Sequence, residues 1–165
     1  MTNSPRIAIL PGSYDPITKG HVALAVRAAK LFDRVVIAVM QNDEKKYRFT
    51  VDQRLRLAKE SVAEIPNCEV IADTGLLVDL YRRLGACCVV KGLRNETDYR
   101  YELIQERWNR EHLDGFETVY LPSDEEHLTI SSTAVREALC REEDIREMMM
   151  PYAADLILSG EIDRA

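Results

Sequence analysis

The sequence predicts an α/β fold in which a five-stranded parallel sheet carries helices on both faces. Five short apolar runs are continuous rather than alternating, which is typical of strands buried on both sides. Each run precedes an amphipathic stretch, and a strand-then-helix order implies parallel strands joined by helical crossovers. The 165 residues suit one domain, which we place at 1–165.

The strands are predicted, in chain order, over residues 6–10, 34–40, 68–72, 87–90 and 117–121. The helices are predicted over 18–32, 51–64, 77–84, 96–112 and from 132 to 140. Their apolar residues recur at helical spacing, so each helix presents one stripe to the sheet. No repeat, low-complexity tract or linker divides the sequence.

Composition excludes several classes of function. The net charge is −6, and nucleic-acid binders usually show a basic footprint, so we expect no nucleic-acid partner. No apolar run approaches the roughly 18 residues of a membrane helix, so we expect no membrane partner. Residues 1–6 are too short and polar for a signal peptide, and we expect a cytoplasmic protein. The four cysteines lack zinc-site spacing, so we expect buried free thiols and no metal ligands from the chain.

Polar and turn-forming residues follow four of the predicted strands, at 11–21, 42–46, 91–94 and 122–133. In open parallel sheets, ligands bind outside the carboxyl ends of the strands. The sequence therefore predicts a ligand site at one edge of the sheet.

The first of these segments has the pattern of an anion site. Gly12 permits close approach of a ligand, and Thr18 is a candidate N-cap. His21 then lies in the first helical turn, where free N–H groups and the helix dipole favour phosphate. The alternative is a histidine that only caps the helix.

Two further segments supply cations. Lys45 and Lys46 follow the second strand, either as phosphate ligands or as a solvated basic pair. Lys91 and Arg94 flank Gly92 after the fourth strand. Two cations so close repel each other unless an anion compensates, so this pair predicts an anionic ligand.

The helix over 96–112 carries two stripes. One is apolar and contains Tyr101, Ile104 and Trp108. The other is polar and contains Asp98, Glu102, Gln105 and Asn109. A polar stripe of this kind is usually a solvated face.

Several motifs resemble known families. Gly12-Ser-Tyr-Asp-Pro16 followed by Thr18-Lys-Gly-His21 resembles the signature of the nucleotidyltransferase superfamily, which has a Rossmann-like fold. Lys91-Gly-Leu-Arg94, Asp98-Tyr-Arg-Tyr-Glu102 and Ile130-Ser-Ser-Thr133 resemble motifs of the phosphopantetheine adenylyltransferase family, in matching order over about residues 6–151. The sequence departs from that family by Lys91 in place of arginine, Ser13 in place of threonine, and Arg100 in place of an acidic residue.

The resemblance implies transfer of AMP from ATP to 4′-phosphopantetheine by a homohexamer. It gives catalytic roles to His21, Lys45 and Lys91. It assigns the acceptor to Ser13, Lys45, Leu77 and Lys91. It assigns ATP to Ser13, Tyr14, His21, Gly92, Leu93, Arg94, Glu102, His127, Leu128, Thr129, Ile130, Ser131, Ser132 and Thr133. Mg²⁺ is expected to accompany the nucleotide, held mainly by its phosphates.

Two alternatives stay open on the sequence alone. One is a different adenylyl- or cytidylyltransferase, with an acceptor such as nicotinamide mononucleotide. The other is a nucleotide sensor on the same fold that performs no chemistry. Leu77 likewise has an alternative as an ordinary core residue.

Overall fold

The computed structural model describes residues 4–162, so the prediction for the leader segment 1–6 lies partly outside the described residues. The strands are β1 (Ile7–Gly12), β2 (Arg34–Met40), β3 (Cys68–Asp73), β4 (Cys88–Leu93) and β5 (Thr118–Pro122). They form one sheet in the order β3-β2-β1-β4-β5, with every neighbouring pair parallel. The predicted five-stranded parallel sheet is confirmed.

The helices within residues 4–162 are α1 (Lys19–Leu31), α2 (Val51–Val62), α3 (Leu77–Leu84), α4 (Glu96–His112), α5 (Ser132–Cys140) and α6 (Pro151–Leu158). A short 3-10 helix covers Glu125–His127. None of these helices is long and apolar enough to cross a membrane. Thr18 is the N-cap of α1, as predicted. The 3-10 helix and α6 were not predicted.

The largest extensions beyond the predicted strand ends are those of β1 and β4. β1 continues through Gly12, where it still pairs with Val39, and β4 continues through Leu93, where it pairs with Pro122. Lys91 and Gly92 are therefore strand residues, not loop residues as predicted. The ladder between neighbouring strands extends these ends, because backbone pairing needs no apolar side chain.

Two apolar clusters cover the sheet, one on each face. The larger packs α1, α2, α5 and α6 against side chains such as Leu10 and Ile37. The smaller packs α3, through Leu80, against Ile9 and Val89. Neighbouring residues of a strand face opposite sides, so Ile9 and Leu10 enter different clusters. Helices on both faces are thus confirmed.

The α4 helix differs from the other α-helices of the described chain because none of its residues is buried. Its predicted apolar stripe is exposed at Tyr101 (62%), Ile104 (71%) and Trp108 (41%). The expectation that this stripe packs on the sheet is therefore wrong for this chain by itself. The expectation of buried thiols is also wrong in part, since Cys88 is buried whereas Cys87 and Cys140 are exposed.

Candidate active site

A cavity of about 580 Å³ opens at the carboxyl edge of the sheet. Its walls come from the ends of β1, β4 and β5, the first turns of α1 and α4, and the start of α5. The chain leaves β1 toward β2 on one side of the sheet, whereas β4 and β5 lie on the other side. The cavity therefore lies at the topological switch point, where open α/β sheets bind ligands.

Most of the predicted site residues meet in this cavity. Those that line it are Tyr14, His21, Lys91, Gly92, Arg94, Glu102, His127, Ile130, Ser131, Ser132 and Thr133. Those that do not line it are Ser13, Lys45, Leu77, Leu93, Leu128 and Thr129. This second group therefore lies outside the cavity wall.

Three of the residues that do not line the cavity, Ser13, Lys45 and Leu77, follow β1, β2 and β3. The backbone carbonyl of Ser13 accepts a hydrogen bond from Arg54, and Lys45 is exposed on the β2–α2 loop. Leu77 packs against the smaller apolar cluster at the start of α3, which agrees with the core alternative. All three follow the strands on one side of the switch point, so they extend the carboxyl edge beyond the cavity wall.

His21 is held at the start of α1 by the residue that caps the helix. The backbone N–H of Thr18 donates to Nδ1 of His21 at 3.0 Å, and Oγ1 of Thr18 lies 2.9 Å from the same nitrogen. A backbone amide can only donate, so Nδ1 is the acceptor and carries no proton. In the neutral ring the proton is then on Nε2, which is left as a donor.

Burial, followed by the nearby positive charge of Arg94, lowers the pKa of His21 to about 4. Both effects disfavour the imidazolium, because one removes water and the other repels a second cation. The ring is therefore neutral at pH 7, and it would engage an anion through a hydrogen bond and not through a full charge.

Tyr14 supports the other side of the His21 ring. The two rings meet edge to face with centroids 5.0 Å apart, and the Tyr14 hydroxyl donates to the carbonyl of Leu10 at 2.7 Å. Tyr14 has a φ of 48°, in the left-handed region that residues other than glycine rarely adopt. A Cβ built on Gly12 would lie 3.1 Å from the Tyr14 ring, so any larger residue at this position would require the ring to shift slightly.

The two cations beside Gly92 are compensated from α4. Nζ of Lys91 lies 3.1 Å from Oε2 of Glu102, and Nε of Arg94 lies 3.0 Å from Oδ2 of Asp98. The repulsion between these two cations is therefore offset in part within the chain, so the pair by itself does not require a ligand anion. The polar stripe of α4 is also more than a solvated face, because Asp98 and Glu102 line the cavity.

The start of α5 forms a hydroxyl-rich wall. Oγ of Ser131 accepts from the N–H of Ala134 at 3.0 Å, which makes Ser131 the N-cap. The Ser132 hydroxyl donates to the carbonyl of Pro16 at 2.7 Å and so fastens α5 to the β1–α1 loop. Together with Thr133, they place a helix N-terminus against the cavity, an arrangement that binds phosphate.

Several residues of this region were missed by the sequence analysis. Asp15 is 5% exposed and accepts from the backbone N–H groups of Arg48 and Phe49, both at 2.9 Å. It ties the β1–α1 loop to the β2–α2 loop. Arg27 lines the cavity and pairs with Asp124 at 3.6 Å across its mouth. Asp15 belongs to the Gly12–Pro16 motif, which could have drawn attention to it; Arg27 has no comparable signal.

His127 was predicted as an ATP-binding residue, but the surroundings of its ring were not predicted. Its ring lines the cavity, and its Nδ1 is buried without a hydrogen-bond partner among residues 4–162. The helix start at Gly20 packs close beside it, since a Cβ there would lie 3.6 Å from Cβ of His127. The carboxylate oxygens recorded near the ring are Oδ2 of Asp124, 4.0 Å from Nδ1, and Oε1 of Glu126, 3.7 Å from Nε2.

The fold and the cavity define a nucleotidyltransferase-type α/β protein, and comparison with known proteins gives the same class. A cytidylyltransferase-like family model matches residues 9–138. A phosphopantetheine adenylyltransferase of Pseudarthrobacter chlorophenolicus is 40% identical over 157 residues, covering 94% of both chains. Another, from Cutibacterium acnes, is 42% identical over 142 residues, covering 86% of this chain and 90% of the relative. The chain therefore belongs to the cytidylyltransferase-like family and, within it, to the phosphopantetheine adenylyltransferase family.

A solved structure supports the fold independently. A Vibrio parahaemolyticus protein assigned as a nicotinate-nucleotide adenylyltransferase superposes with a TM-score of 0.70, covering 96% of this chain and 95% of its own. The sequence identity is 18%, so this likeness concerns the Rossmann-like architecture alone.

Proposed function

We propose that residues 1–165 form one nucleotidyltransferase domain that transfers AMP from ATP to 4′-phosphopantetheine, in coenzyme A biosynthesis. The products are dephospho-coenzyme A and pyrophosphate. The observation that carries this function is the 40% identity, over 94% of the chain, to relatives named phosphopantetheine adenylyltransferase. The site geometry gives the residues their proposed roles.

The chemistry requires no nucleophile from the protein. An oxygen of the acceptor's 4′-phosphate forms a bond to the α-phosphorus of ATP. The bond from that phosphorus to the oxygen bridging to the β-phosphate breaks, and pyrophosphate leaves with the electron pair. Catalysis can then rest on positioning the two substrates and on stabilising charge at the α-phosphate.

The two substrates would approach from opposite sides of the switch point. The residues assigned to the acceptor follow β1, β2 and β3 at Ser13, Lys45 and Leu77, with Lys91 at the boundary on β4. The residues assigned to ATP beyond the first segment follow β4 and β5 or lie on α4 and α5. His21 lies in the first turn of α1, between these two sets of residues, where the reacting phosphates would meet.

In this arrangement the Nε2–H of His21 donates to a non-bridging oxygen of the α-phosphate. This oxygen gains negative charge as the pentacovalent transition state forms, so the hydrogen bond strengthens there. Lys45 and Lys91 bring in the acceptor phosphate and offset its repulsion from ATP. Lys91 would exchange Glu102, 3.1 Å away, for that phosphate.

Three sets of the residues assigned to ATP have distinct proposed contacts. The start of α5, at 131–133, would hold the outer phosphates that leave as pyrophosphate. Glu102 would accept from a ribose hydroxyl or from the adenine amino group, since a carboxylate cannot accept from a phosphate. Residues that flank the lining residues in the chain would contribute through their backbone; they are Leu93, Leu128 and Thr129.

We expect Mg²⁺ to bind in this cavity only together with the nucleotide. Within residues 4–162, no group of three or more His, Cys, Asp or Glu side chains could hold a metal ion. The cavity carboxylates Asp98, Glu102 and Asp124 are each paired with a cation. The ATP phosphates and water would therefore supply most ligands, and the ion would neutralise part of the triphosphate charge.

The resemblance also suggests a homohexamer in the cytoplasm. The exposed apolar stripe of α4 supports assembly, because a helix with no buried residue gains most by packing against another copy of the chain. Closed symmetric assemblies of this kind are common among soluble proteins.

One experiment tests the proposed function. The purified protein is mixed with Mg²⁺, ATP and 4′-phosphopantetheine, and dephospho-coenzyme A and pyrophosphate are measured. Parallel reactions replace the acceptor with nicotinamide mononucleotide. We expect product only with 4′-phosphopantetheine. Product with the mononucleotide alone would identify a different adenylyltransferase, and ATP binding without pyrophosphate release would indicate a sensor.

A further inference from the structure

Arg54 is a fully buried cation, and the proposed mechanism does not use it. It lies in the first turn of α2, its exposure is 0%, and its side chain is among the largest that are fully buried in the described chain. Burying a guanidinium is costly unless its donors are satisfied. The partners that satisfy it therefore show what this residue does.

The guanidinium joins the ends of two neighbouring strands. Nη1 donates to the carbonyls of Ser13 at 2.7 Å and Met40 at 3.1 Å, just after β1 and at the end of β2. Nη2 donates to the side-chain oxygen of Gln41, and Nε donates to the carbonyl of Phe49 at 3.2 Å. These partners are neutral oxygens, so they orient the cation without cancelling its charge.

The same side chain fastens both ends of the β2–α2 loop, residues 41–50. Its contact with Gln41 lies at the start of the loop, and its contact with Phe49 lies at the end. The ring of Tyr47 stacks on the guanidinium with its centroid 4.0 Å from Cζ, and the Tyr47 hydroxyl accepts from the N–H of Asn42 at 3.0 Å. The two ends of the loop are thus fixed by one planar group.

Lys45 lies at the free tip of this loop. Its backbone N–H closes a turn onto the carbonyl of Asn42 at 3.0 Å, while the residue itself is exposed. Since both ends of the loop are fixed through Arg54, that residue sets the position of the loop that carries Lys45. It also fixes Ser13, whose chain neighbours Gly12 and Tyr14 line the cavity.

We propose that Arg54 is a positioning residue for the acceptor substrate, which places Ser13 and Lys45 together for the acceptor's phosphate. This inference rests on the proposed function. Arg54 touches neither substrate and acts through the two strand ends that it joins. Ser13 is also assigned to ATP, but the ATP contacts on β4, α4 and α5 lie outside these hydrogen bonds, so loss of Arg54 should weaken acceptor binding more than ATP binding.

Arg54→Lys is the decisive variant, because it keeps a positive charge and removes the planar fork that reaches several acceptors at once. We expect KM for 4′-phosphopantetheine to rise by about tenfold, as for loss of a hydrogen bond to a charged group, with KM for ATP within about twofold of wild type. Arg56→Lys is the matched control, since Arg56 lies on the same helix and pairs with Glu161 on the surface.

Equal rises in both KM values, or a lower melting temperature with both KM values unchanged, would overturn the proposal. If Arg54→Lys does not fold, Tyr47→Leu removes the stacked ring and leaves Arg54 in place. A rise in KM for the acceptor alone then supports the proposal, and unchanged kinetics refute it. Failure of the wild-type protein to use 4′-phosphopantetheine would refute the proposed function itself, before any variant is compared.

Discussion

Thr18 and His21 form a reciprocal pair at the start of α1, in which the backbone N–H of Thr18 donates to Nδ1 of His21 at 3.0 Å. The histidine side chain thus satisfies a backbone donor ahead of the helix, and the helix cap in turn fixes the ring. The capping role and the proposed catalytic role are compatible, because Nδ1 serves the first and Nε2 is left for the second.

His21→Ala tests the catalytic role. We expect kcat to fall by roughly 100- to 1000-fold, as for loss of one oxyanion-hole donor, with little change in ATP affinity. Capping alone predicts a loss of about 1 kcal/mol of stability and normal turnover. Turnover, ATP affinity and melting temperature are measured together, with His112→Ala at the end of α4 as the control. A variant that melts early but turns over normally would remove His21 from the mechanism.

The lowered pKa of His21, about 4, predicts a pH dependence of stability. An unfolded histidine titrates near pKa 6.5, so between about pH 4 and 6.5 the unfolded chain binds a proton that the folded chain does not. The contribution of His21 to the free energy of unfolding should therefore increase from pH 4 to 6.5, by at most about 3 kcal/mol, and stay constant above pH 6.5.

Urea unfolding at several pH values, with His21→Gln as the comparison, measures this contribution. The variant should lack the part of the pH dependence that wild type shows between pH 4 and 6.5. An NMR titration that places the His21 pKa at 6.5 or higher would contradict the neutral ring.

Lys45→Ala should weaken 4′-phosphopantetheine binding by roughly tenfold or more and leave ATP binding nearly unchanged. The reason is that Lys45 follows β2, whereas the ATP contacts on β4, α4 and α5 lie across the switch point. Lys46→Ala is the matched control, because it removes the neighbouring charge on the same loop. Titration calorimetry with each substrate separates the two. Equal losses for both substrates would refute the acceptor role of Lys45.

Glu102→Gln tests the ion pair between Glu102 and Lys91. Glutamine can still accept from a ribose hydroxyl, but it no longer holds the ammonium as a counter-ion. The acceptor should then bind about three- to tenfold more tightly, because its phosphate no longer competes with a carboxylate. Glu106→Gln is the control, since Glu106 pairs with Arg110 and not with a cavity cation. Weaker acceptor binding would mean that the carboxylate positions Lys91 instead.

Ile104→Asp tests assembly through α4. The residue is 71% exposed in the single chain, and a buried carboxylate at an interface is unfavourable. Light scattering should show a smaller assembly for this variant than for wild type. Leu31→Asp is the control, because Leu31 is an exposed apolar residue (47%) at the end of α1. An unchanged assembly for Ile104→Asp would exclude this face as the interface.

Much of the architecture could be predicted because buried parallel strands are continuous apolar runs. The bounds of β2, α3 and α4 agree with prediction, whereas β1 and β4 extend through Gly12 and Leu93 because their pairing depends on the backbone. The α6 helix was missed, although Pro151 at its first position is a helix-start signal.

The site was predictable where one motif supplies both a turn and a ligand, as around His21. The pairing of Lys91 with Glu102 was not, since it joins a strand end to a helix through tertiary packing. The proposed role of Arg54 was hidden for a similar reason: three of its hydrogen-bond partners are backbone carbonyls, and any residue type supplies those.

The contact between Gly12 and the Tyr14 ring has a consequence for sequence variation. A methyl group at position 12 would lie 3.1 Å from that ring, and the ring in turn lies edge to face with His21. Alanine there would require the Tyr14 ring to move by a few tenths of an ångström, and that ring is the edge-to-face neighbour of the His21 imidazole. The space at position 12 is therefore linked, through one tyrosine ring, to the placement of a histidine nine residues away.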